Sequence, residues 1–296
     1  AKRTADLCVL GSWKVCTATT YGDYSTANQK AYCETEATSC GAAQGCDAKD
    51  NDCDGLVDSA DPRLIAPKNP NQIGECEDTV KECTGAGGWV DDYPPTFGLD
   101  ETPDSTFRDD NCDGIDGDVD LGLFVAPTGS GSTCSMTAPC LLAAALSQIS
   151  AAKPHIYLRA GTYGLLSITT NNVQLYGGYA GTNWGRSSWT DVGYRASFTG
   201  GEFSNEAMGI RIASVSGIVL DNLWVRSPDA SSRNGVNGRG SYGIYMTSAT
   251  VTVSNSSITS GRGFDGNTGG NGTNAPATTT NGIKGNDVFV ATSCCN

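Results

Sequence analysis

Two stretches of this chain repeat one another, and the repeat limits what the chain can fold into. Gly209-Ile-Arg-Ile-Ala-Ser-Val-Ser-Gly-Ile-Val-Leu-Asp-Asn-Leu-Trp-Val225 and Gly243-Ile-Tyr-Met-Thr-Ser-Ala-Thr-Val-Thr-Val-Ser-Asn-Ser-Ser-Ile258 both begin Gly-Ile. Each continues into a short strand with aliphatic residues at alternate positions. Each places an Asn two residues later (Asn222, Asn255) and an aliphatic three after that (Val225, Ile258). A third copy starts at Gly282-Ile283 and runs Val288-Phe-Val290, so the Gly-Ile starts lie 34 and 39 residues apart. One unit of two or three short strands cannot bury its own apolar face, whereas stacked units build a shared core. Alternate Ile, Val and Leu positions then point inward and their polar neighbours outward. The matched Asn positions fit a ladder of amides at one turn, and the variable parts, roughly 228–242 and 259–281, read as loops. The expected fold class is all-β, a parallel β-helix. A β-sandwich is the alternative, but it does not require matched Gly-Ile and Asn positions.

The residues before the repeat complete this picture. Leu121 to Ala126 reads as a strand. Residues 127–140 form a Gly/Ser/Thr loop closed by Cys134 and Cys140. Leu141 to Ala152 has the best helical pattern, with Leu142, Ala145, Leu146 and Ile149 on one face and Pro139 near its start. The stretch Lys153-Pro-His-Ile-Tyr-Leu-Arg-Ala-Gly-Thr-Tyr163, followed by Val173-Gln-Leu-Tyr-Gly-Gly178, resembles the opening coils of right-handed parallel β-helix proteins of the pectate-lyase-like superfamily. The resemblance covers roughly 123–296. It implies a right-handed parallel β-helix with the preceding helix as its N-terminal cap. It implies little about function, because that fold carries lyases, hydrolases, adhesins and fibres.

Composition changes near residue 122. Residues 1–122 hold 25 of the 32 acids but 9 of the 19 bases, against a net charge of −13 for the whole chain. The acidic half repels nucleic acid, and the other half has no dense basic stripe, so no nucleic-acid partner is expected. No apolar run approaches the ~20 residues of a membrane span, so no transmembrane segment is expected. Nine of the 13 cysteines lie before residue 122, several in short pairs along the chain: Cys8/Cys16, Cys46/Cys53 and Cys76/Cys83. Connectivity stays open. CxxC pairs and histidine partners are lacking, which argues against zinc. Disulfides imply an oxidising compartment. The cysteine count is odd, and Cys294-Cys295 is the candidate for the leftover thiol. The chain begins Ala1-Lys2-Arg3, read as a mature form whose signal has been removed. Residues 1–122 show no sustained apolar period and need cross-links or metal to hold a shape. Two domains are therefore expected, 1–122 disulfide-rich and mostly irregular, and 123–296 the β-helix.

Two acidic loops carry the chemistry of the first part. From Asp50 to Asp61, the side chains of Asp50, Asp52, Asp54, Asp58 and Asp61 fall at positions 1, 3, 5, 9 and 12 of an EF-hand loop. Gly55 stands at position 6, and the Leu56 carbonyl at position 7. From Asp109 to Asp120, Asp109, Asn111, Asp113, the Ile115 carbonyl and Asp120 match positions 1, 3, 5, 7 and 12, with Gly114 at position 6. Position 9 is Gly117, so a water or a neighbouring acid must substitute. Alternate carboxylates let a short loop wrap one hard cation, and calcium is the expected cofactor. Each loop carries a cysteine at the same place, Cys53 and Cys112, so cross-links replace flanking helices as the scaffold. The run Cys46-Asp-Ala-Lys-Asp-Asn-Asp-Cys53-Asp-Gly closely resembles the repeated metal-binding motif of myxobacterial and related bacterial surface proteins named after the copper-repressed outer-membrane protein MopE. Gly74-Glu-Cys76, Cys83-Thr-Gly and Trp89 resemble its spacer. The ligands are hard oxygens, which suit calcium rather than copper. His155 is the lone histidine, lies next to a strand, and reads as a packing or solvated residue rather than a ligand.

An enzyme is not expected. Pectin-cleaving β-helices use paired Asp with a histidine, or a basic residue with calcium-bound substrate. The repeats carry no Gly-His-Gly and no paired Asp. Asp221 with Arg226 and Asp191 with Arg195 are the loose candidates, and neither gives a general base. Trp184, Trp189, Tyr179 and Tyr194 surround a Gly-rich excursion that either stacks on sugars or folds onto the side of the helix. The expected function is an extracellular, calcium-stabilised structural protein of a bacterial surface. On the alignment, Cys295 takes the inward place of Val225 and Ile258 and nothing follows as a cap. Self-association into fibres or layers, or packing on neighbouring surface proteins, is therefore expected; the alternative is a fragment whose natural continuation supplies the cap. A glycan-binding adhesin with a polysaccharide partner and a calcium-dependent polysaccharide lyase are the alternatives.

Overall fold

The computed structural model describes residues 46, 48, 57–60, 62, 64–232 and 235–269, with the backbone of 8–9 and 12–13. Asp50, Asp52, Asp54, Leu56 and Asp61 of the first loop, the third repeat copy and Cys294-Cys295 lie outside the described residues. The protein is mostly strands. In the N-terminal part, β1 (Cys8–Val9) pairs antiparallel with β2 (Ser12–Trp13), and β3 (Glu82–Cys83) with β4 (Trp89–Val90).

From residue 122 the strands are short and pair chiefly in parallel. They are β5 (Gly122–Val125), β6 (His155–Arg159), β7 (Gly161–Tyr163), β8 (Leu166–Ile168), β9 (Gln174–Ala180), β10 (Gly185–Arg186), β11 (Ala196–Phe198), β12 (Gly201–Phe203), β13 (Glu206–Ala213), β14 (Ile218–Asp221), β15 (Leu223–Arg226), β16 (Ser241–Thr247), β17 (Val251–Ser254) and β18 (Ser257–Thr259). Strands β5, β6, β9, β14 and β17 form one parallel sheet, the first sheet below. A second sheet holds β7, β11, β15 and β18, and a third holds β8, β13 and β16. The chain visits the sheets in turn: β6, β7 and β8, then β9, β11 and β13, then β14, β15 and β16, then β17 and β18. Strands β10 and β12 fold back antiparallel on β9 and β13.

The repeat read from the sequence is realised residue for residue. Ile210 pairs with Ile244, Ile218 with Val251, Leu220 with Val253, and Val225 with Ile258. All three sheets turn alternate residues into one core that includes Leu123, Ile156, Leu175, Phe198, Ile210, Leu220 and Leu223, each at most 2 % exposed. Asn222 and Asn255 both adopt the left-handed conformation (φ 57° and 45°), which Asn tolerates better than most residues. Their amides do not bond to each other. Asn222 donates to the carbonyls of Gly177 and Ser187, and Asn255 donates to Asp221.

One expectation is corrected, and two readings left open are decided. The predicted helix over 141–152 is one short helix, α1 (Leu142–Leu146). The Ser147 hydroxyl and the Gln148 amide both donate to the Ala144 carbonyl, and Ser150 bridges to Lys153, so the chain turns instead of continuing. The face is as read: Ala145 is buried, and Leu142, Leu146 and Ile149 pack on the core. Sequence neighbours Cys46/Cys53 and Cys76/Cys83 are not the bonded pairs. The disulfides join Cys46 to Cys83 and Cys76 to Cys112, because β3 carries Cys83 to Cys46 and the Gly74–Cys76 turn lies against Asp109. Cys134–Cys140 does close the 127–140 loop. The aromatic excursion folds inward: Trp184 and Tyr179 are fully buried, and the Trp184 indole donates to the Met136 carbonyl, so neither can stack on a sugar.

Candidate metal centre

The first sheet has a second apolar face. Beyond the alternation lie Phe124, Tyr157 and Tyr176, cross-strand neighbours in one outward row. With Tyr179, Trp184 and Ile115 they form a separate buried cluster. Ile115 belongs to the second acidic loop, so the loop is seated on this face.

The loop is built by its own carboxylates. Asp109 accepts the N–H groups of Asp113 (3.0 Å) and Gly114 (2.9 Å). The Asn111 side-chain oxygen also accepts from Asp113, and Asp113 accepts from Ile115 (3.2 Å) and Val119 (2.7 Å). Gly114 has φ 112° with open space around it, so conformation alone selects glycine there. Cys112 anchors the loop to Cys76, and the Asp109 carbonyl accepts from Glu75 N–H. The missing carboxylate at position 9 has a steric cause. A Cβ on Gly117 (φ 120°) would lie 2.9 Å from both Pro103 Cγ and the Tyr157 hydroxyl oxygen.

Residues 116 and 118 face away from the loop's interior. The Tyr157 hydroxyl accepts from Asp118 N–H and donates to Asp118 C=O, both at 2.9 Å, and lies 3.1 Å from His155 Nδ1. His155 is buried among Tyr157 and Tyr176 rather than placed as a ligand, and burial lowers its pKa. Asp118 accepts from the N–H groups of Asp120 and Leu121. Asp116 pairs with Arg186 at 2.8 Å, and Arg186 pairs with Asp221 at 2.5 Å. Burial lifts the Asp116 carboxyl to about 6 against the pull of Arg186.

The acids that face the loop have no such partner. Asp109 is half-buried and Asp113 exposed; both accept backbone N–H groups, and desolvation raises both above the ordinary carboxylate value. Glu101 reaches the loop from outside, accepting Asn111 N–H at 3.3 Å; burial, with Asp116 and Asp109 nearby, pushes it up to about 8. Among the described residues none of these three forms an ion pair. A donor set of oxygens with surplus negative charge fits a hard cation.

The structure brings Asp109, Asn111, Asp113 and Ile115 into one tight turn. Asp120 is exposed, and no three of the Glu101, Asp109, Asp113 and Asp120 carboxylates bring their oxygens within 4.8 Å of one another. Among the described residues, the ligand atoms that do lie that close belong to Cys46, Asp58 and Cys83. Those two sulfurs are bonded to each other, so this group is a cross-link, not a metal site. Asp58, the one described ligand candidate of the first loop, accepts Ala48 N–H at 2.8 Å. Glu101 was not among the sequence candidates, since it sits outside the loop pattern. The loose acid–base pairs have other work. Asp221 is held by Arg186, Ser254 and Asn255; Asp191 caps the turn at Gly193, and Arg195 donates to the Trp189 carbonyl. No helix among the described residues is long and apolar enough to cross a membrane. No protein-family model, curated protein or solved structure matches this chain.

Proposed function

We propose that this chain is an extracellular, calcium-stabilised structural protein. In this reading a disulfide-rich module holds the cation against a right-handed parallel β-helix. The observation that carries it is one loop on which half-buried Asp109 and Glu101 and exposed Asp113 gather, none with an ionic partner among the described residues. Uncompensated buried charge is costly, and a divalent cation removes that cost. Asp109, Asn111, Asp113 and the Ile115 carbonyl would hold the ion, with Asp120 and Glu101 at hand. The ion would supply charge compensation, and the chain's own residues supply the frame: Cys76–Cys112 ties down the first half of the loop and Ile115 seats its middle on the sheet. The cyclic visiting order of the three parallel sheets supports the β-helix. Three disulfides support an oxidising compartment.

Calorimetric titration of calcium into chelator-stripped protein tests the reading. Saturable binding that Asp109→Asn and Asp113→Asn together weaken at least tenfold is expected. No heat of binding in the parent protein, with its disulfides intact, rejects it.

A further inference from the structure

The outward row of the first sheet changes character along the stack. Phe124, Tyr157 and Tyr176 are aromatic, but the next residue in register is Asp221 and the next is Ser254. Where the row becomes polar, Arg186 arrives from β10. Its side chain is fully buried, facing Asp116 and Asp221, which are 1 % and 6 % exposed. It also donates to the Gly177 carbonyl at 3.0 Å and to the Asp104 carbonyl at 2.7 Å. One guanidinium thus ties the acidic loop, the segment before it and two strands of the sheet. Asp221 passes the connection on, accepting from Ser254 (2.7 Å) and Asn255 (2.8 Å) at the end of β17. Asp116 stands between the loop's candidate ligands and shares the loop backbone: its carbonyl accepts from Tyr179, and its carboxylate from Asp104 N–H.

We propose that Arg186 is the positioning residue of the cation site, holding the loop in its binding form from the sheet and coupling cation binding to the order of the strand stack. This rests on the cation reading above. A buried charge network with every member paired defines one geometry, and a loop held in that geometry loses less freedom on binding. By linkage, binding then protects the network that favours it.

The sign of one effect separates positioning from simple charge. Removing a cation near the loop should strengthen calcium binding if only the field mattered. Positioning predicts the reverse. The experiment compares the parent protein with Arg186→Gln, Arg186→Lys and the exposed control Arg226→Ala, using calcium calorimetry and the luminescence lifetime of bound terbium in H2O and D2O. We expect Arg186→Gln to weaken calcium at least tenfold and to add water to bound terbium. Arg186→Lys, which keeps the charge but not the fork, should recover part of the loss, and Arg226→Ala should change nothing. Equal or tighter calcium binding by Arg186→Gln overturns the proposal while leaving the cation reading intact. Absence of binding in the parent protein overturns both. If Arg186→Gln does not fold, hydrogen exchange on the parent protein decides. Calcium should slow exchange at 218–221 and 254–255 as well as at 101–121, and a change confined to 101–121 overturns the coupling.

Discussion

A methyl group at position 117 has nowhere to go. It would meet Pro103 and the Tyr157 hydroxyl at 2.9 Å, on a backbone with φ 120°. Gly117→Ala is expected to destabilise the protein by about 2–4 kcal/mol, combining backbone strain and overpacking. Urea unfolding of the variant against the parent measures it. His155 sets a pH response. Burial lowers its pKa below 6.5, so above 6.5 the residue is neutral in both folded and unfolded chains. Below 6.5 the unfolded chain takes up the proton first, and stability falls with falling pH until the folded pKa is passed. His155→Phe should flatten that part of the stability curve, measured by thermal unfolding between pH 7 and 5. An unchanged slope would show that another group governs it.

At the scale of elements, the stacked core and the cross-links carry separate loads. Leu220 sits between Leu175 and Val253 in register and is 1 % exposed. Leu220→Ala is expected to cost about 2–5 kcal/mol in denaturant unfolding. Cys76 and Cys112 close a separation of 36 residues, so replacing both by Ser should cost about 3–4 kcal/mol by the chain-entropy estimate. The repeat strands were legible because a period of two writes the inward face directly into the sequence, as Ile218-Val-Leu220 and Val251-Thr-Val253 show. The Asp109–Asp120 loop was legible because its spacing is local. Other features depend on contacts that no local pattern records. The ion pairs of Arg186 join residues 70 and 35 positions away, and the disulfides cross between neighbouring cysteine pairs. The seat for the loop left one trace, the unbroken apolar runs Leu123-Phe-Val125 and Ile156-Tyr-Leu158. Such runs mark strands buried on both faces.

For the whole molecule, the proposed cation is a stability term. At free calcium about 100-fold above Kd, one site that binds the folded state alone adds about 2.7 kcal/mol. A rise in melting temperature with calcium, reversed by chelation, is the expected result. Light scattering of the same samples decides on self-association: particles that shrink on chelation support a calcium-built assembly, and a monomer in both conditions rejects it.

The placement of Arg186 also sets an order of events during synthesis. Residues 104–118 leave the ribosome well before Tyr157, Tyr179 and Arg186, and their polar network closes only when Asp221 has followed. Loops that wait for distant partners pay their closure entropy before any contact rewards it. Residues 104–118 of a nascent chain therefore wait undocked until the four strands after Arg186, β11 to β14, have emerged.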